Sequence, residues 1–542
     1  MRYSPFAIVL ALSVCSLALG LAGHDAGFWS LALLAPLVLV GIFDIVQTRH
    51  TLWRLFPIAA HVRWFFEWLR PFMREYLLDG DHQGRPFSHR ARALVYKRAK
   101  DLESAQPFGT DLDVYSSGYE WINHAVMARQ DEVEDHRVAV GEGGCRKPYS
   151  ASLLNISAMS FGALSGRAIE ALNLGAKLGG FYHDTGEGGL SRYHLAHGGD
   201  VVWELGTGYF GCRTPEGGFD RARFRDGAAH DQVKMIEIKL SQGAKPGHGG
   251  LLPGAKVSPE IAAARGVEAW ADCLSPAHHS AFGTPVGLME WIAELRELSG
   301  GKPVGFKLCV GHTWEVLALV KAMLKTGIAP DFIVVDGAEG GTGAAPAELS
   351  NHVGTPLREG LVTVVNALAG TGLRRRVRIA AAGKITTGHM LAANLALGAD
   401  WCNAARAFMF ALGCVQTKRC HTGTCPTGIA TQDKWRQWGL DVADKGPRVH
   451  HFHRNTMLAL SQYVGAAGLE SPAELRPHHL RVRVNENLVL HADELYRFLA
   501  PGCLLDAPQE TPYGDWWAMA DADSFAPRRL ETAARSRAQL SA

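Results

Sequence analysis

Two long apolar runs open the chain. The run 5–23 contains no charged residue, and the run 28–47 is interrupted only by Asp44. About 20 apolar residues span the hydrocarbon core of a bilayer, so each run predicts a transmembrane helix. The short segment 24–27 between them suits a tight turn. The pattern therefore predicts a transmembrane hairpin within residues 1–50.

The charges around these runs predict the orientation of the hairpin. A cleaved signal peptide is the alternative for the first run, because Leu21-Ala22-Gly23 resembles a small-residue cleavage site, but the second run argues against it. The turn holds no Lys or Arg. By the positive-inside rule, both ends of the hairpin are expected on the cytoplasmic side of the inner membrane. The flanking arginines are Arg2, Arg49, Arg54, Arg63, Arg70 and Arg74.

Residues 51–150 show three patterns in succession. Aromatic residues interleave with arginines over 51–76, which is typical of a helix lying along a membrane surface, with a core helix as the alternative. Residues 79–100 are polar and basic and predict a helical connector. Residues 107–147 mix aromatic residues with Gly and Asp, and we assign them to an N-terminal cap on the domain that begins at residue 151.

From residue 151 onward, short apolar segments alternate with helical stretches. Eight alternating units over about 250 residues are typical of a (β/α)₈ TIM barrel, with a doubly wound open sheet as the competitor. The count of eight favours an α/β TIM barrel over 151–435, followed by a helical extension over 436–542. The predicted strands are Leu153–Met159, Gly180–Glu187, Lys234–Leu240, Glu268–Ser275, Pro303–Val310, Asp331–Gly337, Arg378–Lys384 and Asp400–Arg406.

Composition and charge narrow the class of protein. The 542 residues are 47% hydrophobic and include 60 glycines, which indicates a core-rich, loop-rich enzyme. A formal net charge of +2 provides no basic excess, so no nucleic-acid partner is expected. Ten cysteines over this length do not form a disulfide framework.

The C-terminal ends of the last predicted strands carry signals for a phosphate. In TIM barrels the active site forms at this face, and phosphate often binds near strands seven and eight. The seventh strand ends near Gly383 and the eighth near Ala404, with Arg406 able to neutralise an anion. The sixth strand leads into a glycine-rich loop that includes Gly340 and Gly341 and is flexible enough to close around a ligand.

Two lysines lie inside predicted strands, Lys239 in the third and Lys307 in the fifth. A lysine inside a barrel is costly to bury unless a ligand or a carboxylate satisfies it, and a structural ion pair is the alternative for each. Together with the phosphate-like loops, the lysines suggest flavin mononucleotide (FMN), with one lysine near the N1–C2=O edge of the flavin.

The segment Gly206–Gly211 matches the dinucleotide-binding pattern G-x-G-x-x-G. The residues after it predict a loop, whereas that pattern requires an amphipathic helix to hold the pyrophosphate. We therefore expect NAD(P)H to act only through a partner protein.

Three cysteines, Cys414, Cys420 and Cys425, fall within twelve residues of a loop rich in glycine, and Pro426 comes directly after the last of them. Three thiolates and a Cys-Pro step favour an iron–sulfur cluster. A zinc site with His421 as its fourth ligand is the alternative, and inert buried cysteines are the third.

Several long motifs closely resemble the synthase domain of glutamate synthase. The resemblance covers about residues 152–432 and implies an FMN-binding (β/α)₈ barrel whose 3Fe-4S cluster is held by three cysteines, which match the three described above. The motifs are NISAMSFGALS (155–165), TGEGG (185–189), IKLSQGAKPGHGGLLPGAKVSPEIAAAR (238–265), DGAEGGTGAAP (336–346) and GCVQTKRCHTGTCPTGIATQ (413–432).

The resemblance implies reductive amination of 2-oxoglutarate, in which ammonia and the keto acid give 2-iminoglutarate and flavin hydride reduces it to glutamate. Lys245 and Arg265 match positions that bind the 2-oxoglutarate carboxylates. Glu187 matches a glutamate near the flavin that communicates substrate and electron state. The expected cofactor-binding residues are Ala158, Met159, Ser160, Lys239, Gln242, Lys307, Gly340, Gly341, Gly383, Ala404 and Arg406.

The sequence also departs from the pattern of the family. The predicted hairpin stands where the family has a domain with a nucleophilic N-terminal cysteine. Free ammonia or another subunit is therefore expected to supply the nitrogen. The large C-terminal β-helix of the family is not expected either. Leu251 replaces a substrate-contacting glutamine, and His248 replaces a glutamate. When a binding site loses a polar group that contacts the substrate, its preference among substrates changes strongly. A related dicarboxylate or an amino-acid-like substrate is therefore an alternative to 2-oxoglutarate.

Three functions are compared. The first is a glutamate-synthase-like oxidoreductase acting on CH–NH₂ bonds, which receives electrons from a ferredoxin or an NAD(P)H-oxidising subunit. The second is a membrane-tethered electron-transfer component without amino-acid chemistry, which has no need of Lys245 and Arg265. The third is a sensor with a dead site, which predicts loss of Lys307 or of the cysteines. The sequence favours the first, in a chain that resembles the shorter membrane-associated glutamate-synthase-like proteins of bacteria.

Overall fold

The computed structural model describes residues 2–129 and 136–529. The chain divides into two compact units, Met1–Arg90 and Ala91–Ala542. The helices of the first unit are α1 (Ser4–Leu21), α2 (Asp25–Val46), α3 (Thr51–Leu55) and α4 (Ala59–Met73), followed by a π-helical turn over Arg74–Leu78.

Helices α1 and α2 form the predicted hairpin and pack closely on one another. A side chain at Gly27 would collide with the backbone of Gly20, and one at Gly41 would collide with the ring of Phe6. Small residues at these positions let the two helix backbones approach. Both helices are long and apolar enough to cross a membrane, and most of their large apolar side chains are exposed.

Asp44, the one charge in the second apolar run, is fully buried. Its carboxylate accepts a hydrogen bond from the backbone N–H of Ile58 at 2.9 Å and contacts Nε2 of His61 at 2.9 Å. The carboxylate therefore fixes the start of α4 against the end of α2. The aromatic side chains that prompted the prediction of a surface helix are exposed on α4: Trp64, Phe65, Phe66 and Trp68.

The remaining elements lie mainly in the second unit. The strands are β1 (Glu120–Ile122), β2 (Arg137–Val140), β3 (Tyr149–Ser152), β4 (Leu154–Ile156), β5 (His183–Asp184), β6 (Val201–Leu205), β7 (Val233–Lys239), β8 (Leu251–Leu252), β9 (Cys273–Leu274), β10 (Val304–Leu308), β11 (Phe332–Asp336), β12 (Arg378–Ala382), β13 (Trp401–Ala404), β14 (Leu480–Asn485) and β15 (Leu488–His491). The helices are α5 (His89–Ala99), α6 (Gly166–Gly179), α7 (Arg192–Leu195), α8 (Arg221–Ala228), α9 (Pro259–Arg265), α10 (Pro285–Leu298), α11 (Thr313–Thr326), α12 (Ala347–His352), α13 (Leu357–Gly370), α14 (Gly388–Ala396), α15 (Arg406–Leu412), α16 (Lys434–Trp438), α17 (Val442–Ala466), α18 (Ala492–Leu495), α19 (Cys503–Asp506) and α20 (Gly514–Met519).

Eight parallel strands close into a barrel in the order β4-β5-β6-β7-β10-β11-β12-β13, which confirms the predicted TIM barrel. The last strand returns to the first, with Asn403 opposite Asn155 in the ladder. Helices come after the strands around the ring, and several begin at a hydroxyl N-cap that accepts a backbone N–H, as Ser165 does for α6.

One predicted barrel strand was wrong. Within the predicted segment Glu268–Ser275 the structure has β9, which pairs antiparallel with β8 outside the barrel. The missing barrel strand is β6, whose five residues are all buried and which pairs with β5 and β7. Lys239 therefore ends the fourth barrel strand rather than the third. Short apolar runs are ambiguous locally, because the pairing partner decides which of them enters the barrel.

The barrel interior contains a closed hydrogen-bond network. The Tyr182 hydroxyl donates to Oδ1 of Asn403 at 2.6 Å and accepts a hydrogen bond from Nε1 of Trp401 at 2.8 Å. All three side chains are buried. Because each polar group has a partner, the network costs little and fixes the relative positions of β5 and β13.

The C-terminal region extends the barrel unit. Helix α17 packs along α6, where a side chain at Gly175 would collide with Val449. The region predicted to be a helical extension also contains strands β14 and β15, which join β1 of the predicted cap in one three-stranded sheet. The last part of that predicted extension, residues 530–542, lies outside the described residues.

Candidate active site

A cleft of about 110 Å³ lies at the C-terminal ends of the barrel strands. Loops after β4, β5, β7, β11 and β13 supply its walls. The predicted site residues in its lining are Ala158, Met159, Ser160, Glu187, Lys239, Gln242, Gly341, Arg406 and Cys420.

An ion pair crosses the cleft. Nζ of Lys239 lies 2.9 Å from Oε2 of Glu187. Burial alone would raise the pKa of the Glu187 carboxyl, but Lys239, with smaller contributions from Lys245 and Arg265, lowers it to about 2. Glu187 is therefore a carboxylate across the working pH range, surrounded by cations.

Gln242 carries a free donor. Its side-chain Nε2 is buried and has no hydrogen-bond partner among the described residues. Buried polar atoms are nearly always paired, so an unpaired donor in a cleft wall indicates an absent acceptor. A carbonyl oxygen at the edge of a bound ring would satisfy it.

The opposite side of the cleft suits an anion. Nη2 of Arg406 donates to the carbonyl of Thr342 at 2.9 Å. A side chain at Gly341 would collide with this guanidinium, so glycine is what lets the loop lie against it. Small residues beside a guanidinium can hold a phosphate through backbone N–H groups and charge together.

Three predicted cofactor-binding residues stand behind this wall rather than in the lining. Gly340 lies next to Asp336, and Gly383 lies against Leu357. Ala404 is buried at the end of β13. These small residues define the backbone path of the anion side, but their own atoms do not line the cleft.

Lys307 also lies outside the lining. It is buried below the cleft, bonded to Glu204 and 3.3 Å from Glu237. With Asp184, these two glutamates form a group of carboxylates within 4.8 Å of one another. Burial and the neighbouring Glu204 raise the pKa of Asp184 to about 7. The structural ion pair that the sequence left open as an alternative is therefore the arrangement observed for Lys307.

Glu204 is a cleft residue that the sequence did not identify. It lies on β6, the strand that was missed, and it connects the cleft to the buried carboxylate group. An acidic residue inside an otherwise apolar run, as in VVWEL (201–205), is the signal that would have found it. The G-x-G-x-x-G segment after this strand opens no helix, since α8 begins only at Arg221, as predicted.

A second cleft of about 70 Å³ adjoins the first and shares residues that include Ser160, Glu187 and Cys420 with it. Its walls include Lys245 and Arg265, both almost fully buried. The structure thus brings the two predicted carboxylate-binding residues to one place beside the first cleft. Leu251 also lines this cleft and is partly exposed there.

Arg265 is held by neutral neighbours. Its Nη2 donates to the carbonyl of Phe161 at 3.2 Å, its guanidinium stacks over the ring of Phe210 at 5.0 Å, and its buried Nε has no hydrogen-bond partner among the described residues. Burial lowers the pKa of Lys245. Two buried cations that line one cleft are suited to bind an anionic substrate.

The three loop cysteines are free thiols. Burial opposes ionisation of Cys425, but hydrogen bonds from Thr427, Ile429 and Ala430 outweigh it and lower the pKa of this thiol. Burial raises the pKa of Cys414 to about 11. Backbone N–H donors that stabilise a thiolate are typical of a sulfur that ligates iron.

This barrel, its two joined clefts and its cysteine loop define the class of protein. The family model described as the conserved region in glutamate synthase matches residues 118–470, and the chain belongs to the glutamate synthase family. It is 36% identical over 504 residues to the glutamate synthase large subunit-like protein YerD of Bacillus subtilis, which covers 85% of this chain and 95% of that protein. It is 35% identical over 332 residues to the archaeal glutamate synthase [NADPH] of Methanocaldococcus jannaschii, where the match covers 60% of this chain and 61% of the relative.

Proposed function

We propose that the chain is a flavin- and iron–sulfur-dependent oxidoreductase that reductively aminates 2-oxoglutarate or a related 2-oxo acid. The observation that carries the proposal is the joining of two clefts at one barrel face. One offers an unpaired amide donor and an anion-binding edge, and the other offers the buried cations Lys245 and Arg265. Family membership supports glutamate synthase chemistry in general.

The chemistry of the residues that line the first cleft suits FMN. Gln242 supplies the donor for a ring carbonyl, and Arg406 with the glycine-rich loop supplies the phosphate end. Lys239 places a positive charge in the same wall, where it favours the anionic reduced flavin. When bound there, FMN supplies a hydride to the carbon of an imine formed from the oxo acid and ammonia.

The protein's own groups bind and orient the substrate. Lys245 and Arg265 bind the carboxylates of a dicarboxylic oxo acid, since each has donors that face the second cleft. Glu187 lines both clefts, accepts a hydrogen bond from Lys239 and is attracted by the charges of Lys245 and Arg265, so it aligns the two ligands. Burial of these charges excludes water, which protects the imine from hydrolysis.

The cysteine loop is proposed to hold a 3Fe-4S cluster through Cys414, Cys420 and Cys425. The lowered pKa of Cys425 and the Cys-Pro step at Cys425–Pro426 support this assignment. Cys420 also lines both clefts, so the centre would adjoin the cofactor and the substrate together. Electrons are proposed to come from a ferredoxin or an NAD(P)H-oxidising subunit.

A direct assay tests the function. The detergent-purified chain is incubated anaerobically with dithionite and a viologen mediator, ammonium and a panel of 2-oxo acids, and amino-acid products are separated by chromatography. We expect glutamate from 2-oxoglutarate or the matching amino acid from a related dicarboxylate. If no oxo acid is aminated by protein that contains flavin and iron, the proposal fails, and the electron-transfer function replaces it.

The first unit is proposed to anchor the protein in the cytoplasmic membrane with the barrel in the cytoplasm. The lengths of α1 and α2, their exposed apolar side chains and the flanking arginines support this topology. A reporter fused after Ala542 should be active in the cytoplasmic form and silent in the periplasmic form. The reverse result overturns the topology.

A further inference from the structure

Lys256 joins two loops at the mouth of the active site. It ends the 3₁₀ turn Gly254–Lys256 and is only 4% exposed. Its Nζ donates to the carbonyl of Ala163, in the loop after β4, and to the carbonyl of Cys420, in the cysteine loop, each at 3.1 Å. One ammonium thus fastens the cysteine loop to the wall of the clefts.

The ammonium has no ordinary counter-ion. Among the described residues, no Asp or Glu forms a salt bridge with Lys256. A buried cation is costly unless an anion or several acceptors compensate it. The acceptors that compensate Lys256 are the carbonyls of Ala163 and Cys420, so part of this compensation lies in the cysteine loop.

The same side chain belongs to the substrate cleft. Lys256 lines the second cleft together with Lys245 and Arg265. It therefore stands between the place proposed for the dicarboxylate and the sulfurs proposed for the cluster. The hydrogen bonds explain how the loop is held, and the charge has a further effect on any redox centre there.

We propose that Lys256 is a positioning residue that holds the cysteine loop against the cleft and raises the reduction potential of the iron–sulfur cluster with its positive charge. This inference rests on the proposed function, because it requires an iron–sulfur cluster on these cysteines. A nearby cation stabilises the reduced, more negative cluster. At an effective dielectric constant of about 20, a unit charge on the order of 10 Å away changes the equilibrium for reduction on the order of tenfold.

The test compares Lys256→Met, Lys256→Gln and Lys256→Arg in the full-length detergent-purified protein. Iron per chain is measured first, and the cluster's midpoint potential is then measured at pH 7 by redox titration with electron paramagnetic resonance as the readout. We expect the two uncharged variants to disfavour reduction about tenfold, which is about 59 mV for a one-electron couple, and Lys256→Arg to stay close to wild type.

Lys302→Met is the matched control. Lys302 is equally buried, and its Nζ also donates to two carbonyls, those of Ala228 and His230, but it precedes β10 at the other end of the barrel. The variant should lower thermal stability and leave the midpoint potential unchanged. If the role of Lys256 were merely structural, Lys256→Met would likewise lower thermal stability and leave the midpoint potential unchanged.

Each outcome decides the matter. Normal iron with an unshifted potential in Lys256→Met and Lys256→Gln overturns the proposal. Loss of iron from both uncharged variants, with iron kept in Lys256→Arg, supports the ammonium as the group that holds the loop. Loss of iron from Lys256→Arg as well shows that shape rather than charge matters, and it overturns the proposal. Wild-type protein without iron refutes the proposed cluster itself.

Discussion

Lys239 and Glu187 form an ion pair across the end of β6, with 2.9 Å between Nζ and Oε2. Lys239 ends β7, and Glu187 lies in the loop after β5, so the pair joins strands that do not neighbour each other in the barrel. Between them lies Gly206, where a side chain would collide with Glu187. The pair fixes a positive and a negative charge inside the cleft before any ligand binds.

Lys239→Met should destabilise this arrangement. It leaves a buried carboxylate without its main partner, which costs about 3 kcal/mol. We expect the purified variant to melt at a lower temperature and to lose most of its flavin, measured by absorbance per chain. Lys234→Met is the control, because Lys234 lies on the same strand but forms a longer, more exposed pair with Asp200 at 3.7 Å. Equal flavin content in both variants would contradict the role given to Lys239.

Cys420→Ser should remove the iron–sulfur signal. A serine oxygen is a poorer ligand for iron than a thiolate, so electron paramagnetic resonance of the anaerobically purified variant should show little or no cluster, whereas wild type should hold about three irons per chain. The circular dichroism spectrum should stay that of a folded barrel. Cys503→Ser, outside the loop, should keep full iron content. Zinc in place of iron in the wild-type protein would rule out the cluster.

Arg265→Ala tests the binding of the substrate carboxylate. A charge-assisted contact contributes roughly 1.5–3 kcal/mol, so kcat/KM for the best oxo acid should fall about 10- to 150-fold. Flavin and iron content should be unchanged. Arg213→Ala is the matched control, because Arg213 stacks on the same Phe210 ring at 5.6 Å but does not line either cleft. Similar kcat/KM values for both variants and wild type would refute carboxylate binding by Arg265.

Asp184→Asn should change the pH dependence of stability. Burial and Glu204 raise the pKa of Asp184 to about 7 in the folded protein, above its value in the unfolded chain. The stabilisation from its protonated form is therefore complete below the unfolded pKa and is lost as the pH rises through about 7. The melting temperature of wild type should fall more steeply from roughly pH 4 to 7 than that of the variant.

The amide in Asp184→Asn reproduces the neutral form and can still accept the hydrogen bond from the backbone N–H of Gly186, which Asp184 accepts at 2.9 Å. The control is Asp226→Asn, an exposed residue of α8, which should give the wild-type curve. Parallel curves for wild type and Asp184→Asn would show that this carboxyl does not carry the raised pKa.

The sequence was sufficient for the barrel and for much of the cleft. Strands buried on both faces appear as short apolar runs, and residues at their C-terminal ends must converge once the barrel closes. That is why the sequence predicts one site for Gly341 and Arg406, which are distant in sequence and both line the cleft. The same reasoning could not separate β6 from β9, because both are short apolar runs and only pairing distinguishes them.

Contacts between side chains of different loops could not be predicted from the sequence. Nothing near Lys256 in the chain indicates that its ammonium meets the carbonyl of Cys420, 164 residues further on. Lys307 shows the same limit, since its carboxylate partners come from two other strands. Such contacts become strong interactions when they are buried. Burial depends on the whole fold rather than on the local pattern of apolar and polar residues.

The segment between β7 and β10, which contains the paired strands β8 and β9, carries four residues of the second cleft: Lys245, Leu251, Lys256 and Arg265. No barrel strand passes through this stretch, so its residues can change without disturbing the ladders that close the barrel. Changes at these four positions would therefore alter the proposed substrate cleft, while Lys239 and Arg406, which lie at the ends of barrel strands, keep their places. Recombination or gene conversion confined to this segment would move specificity as one heritable module.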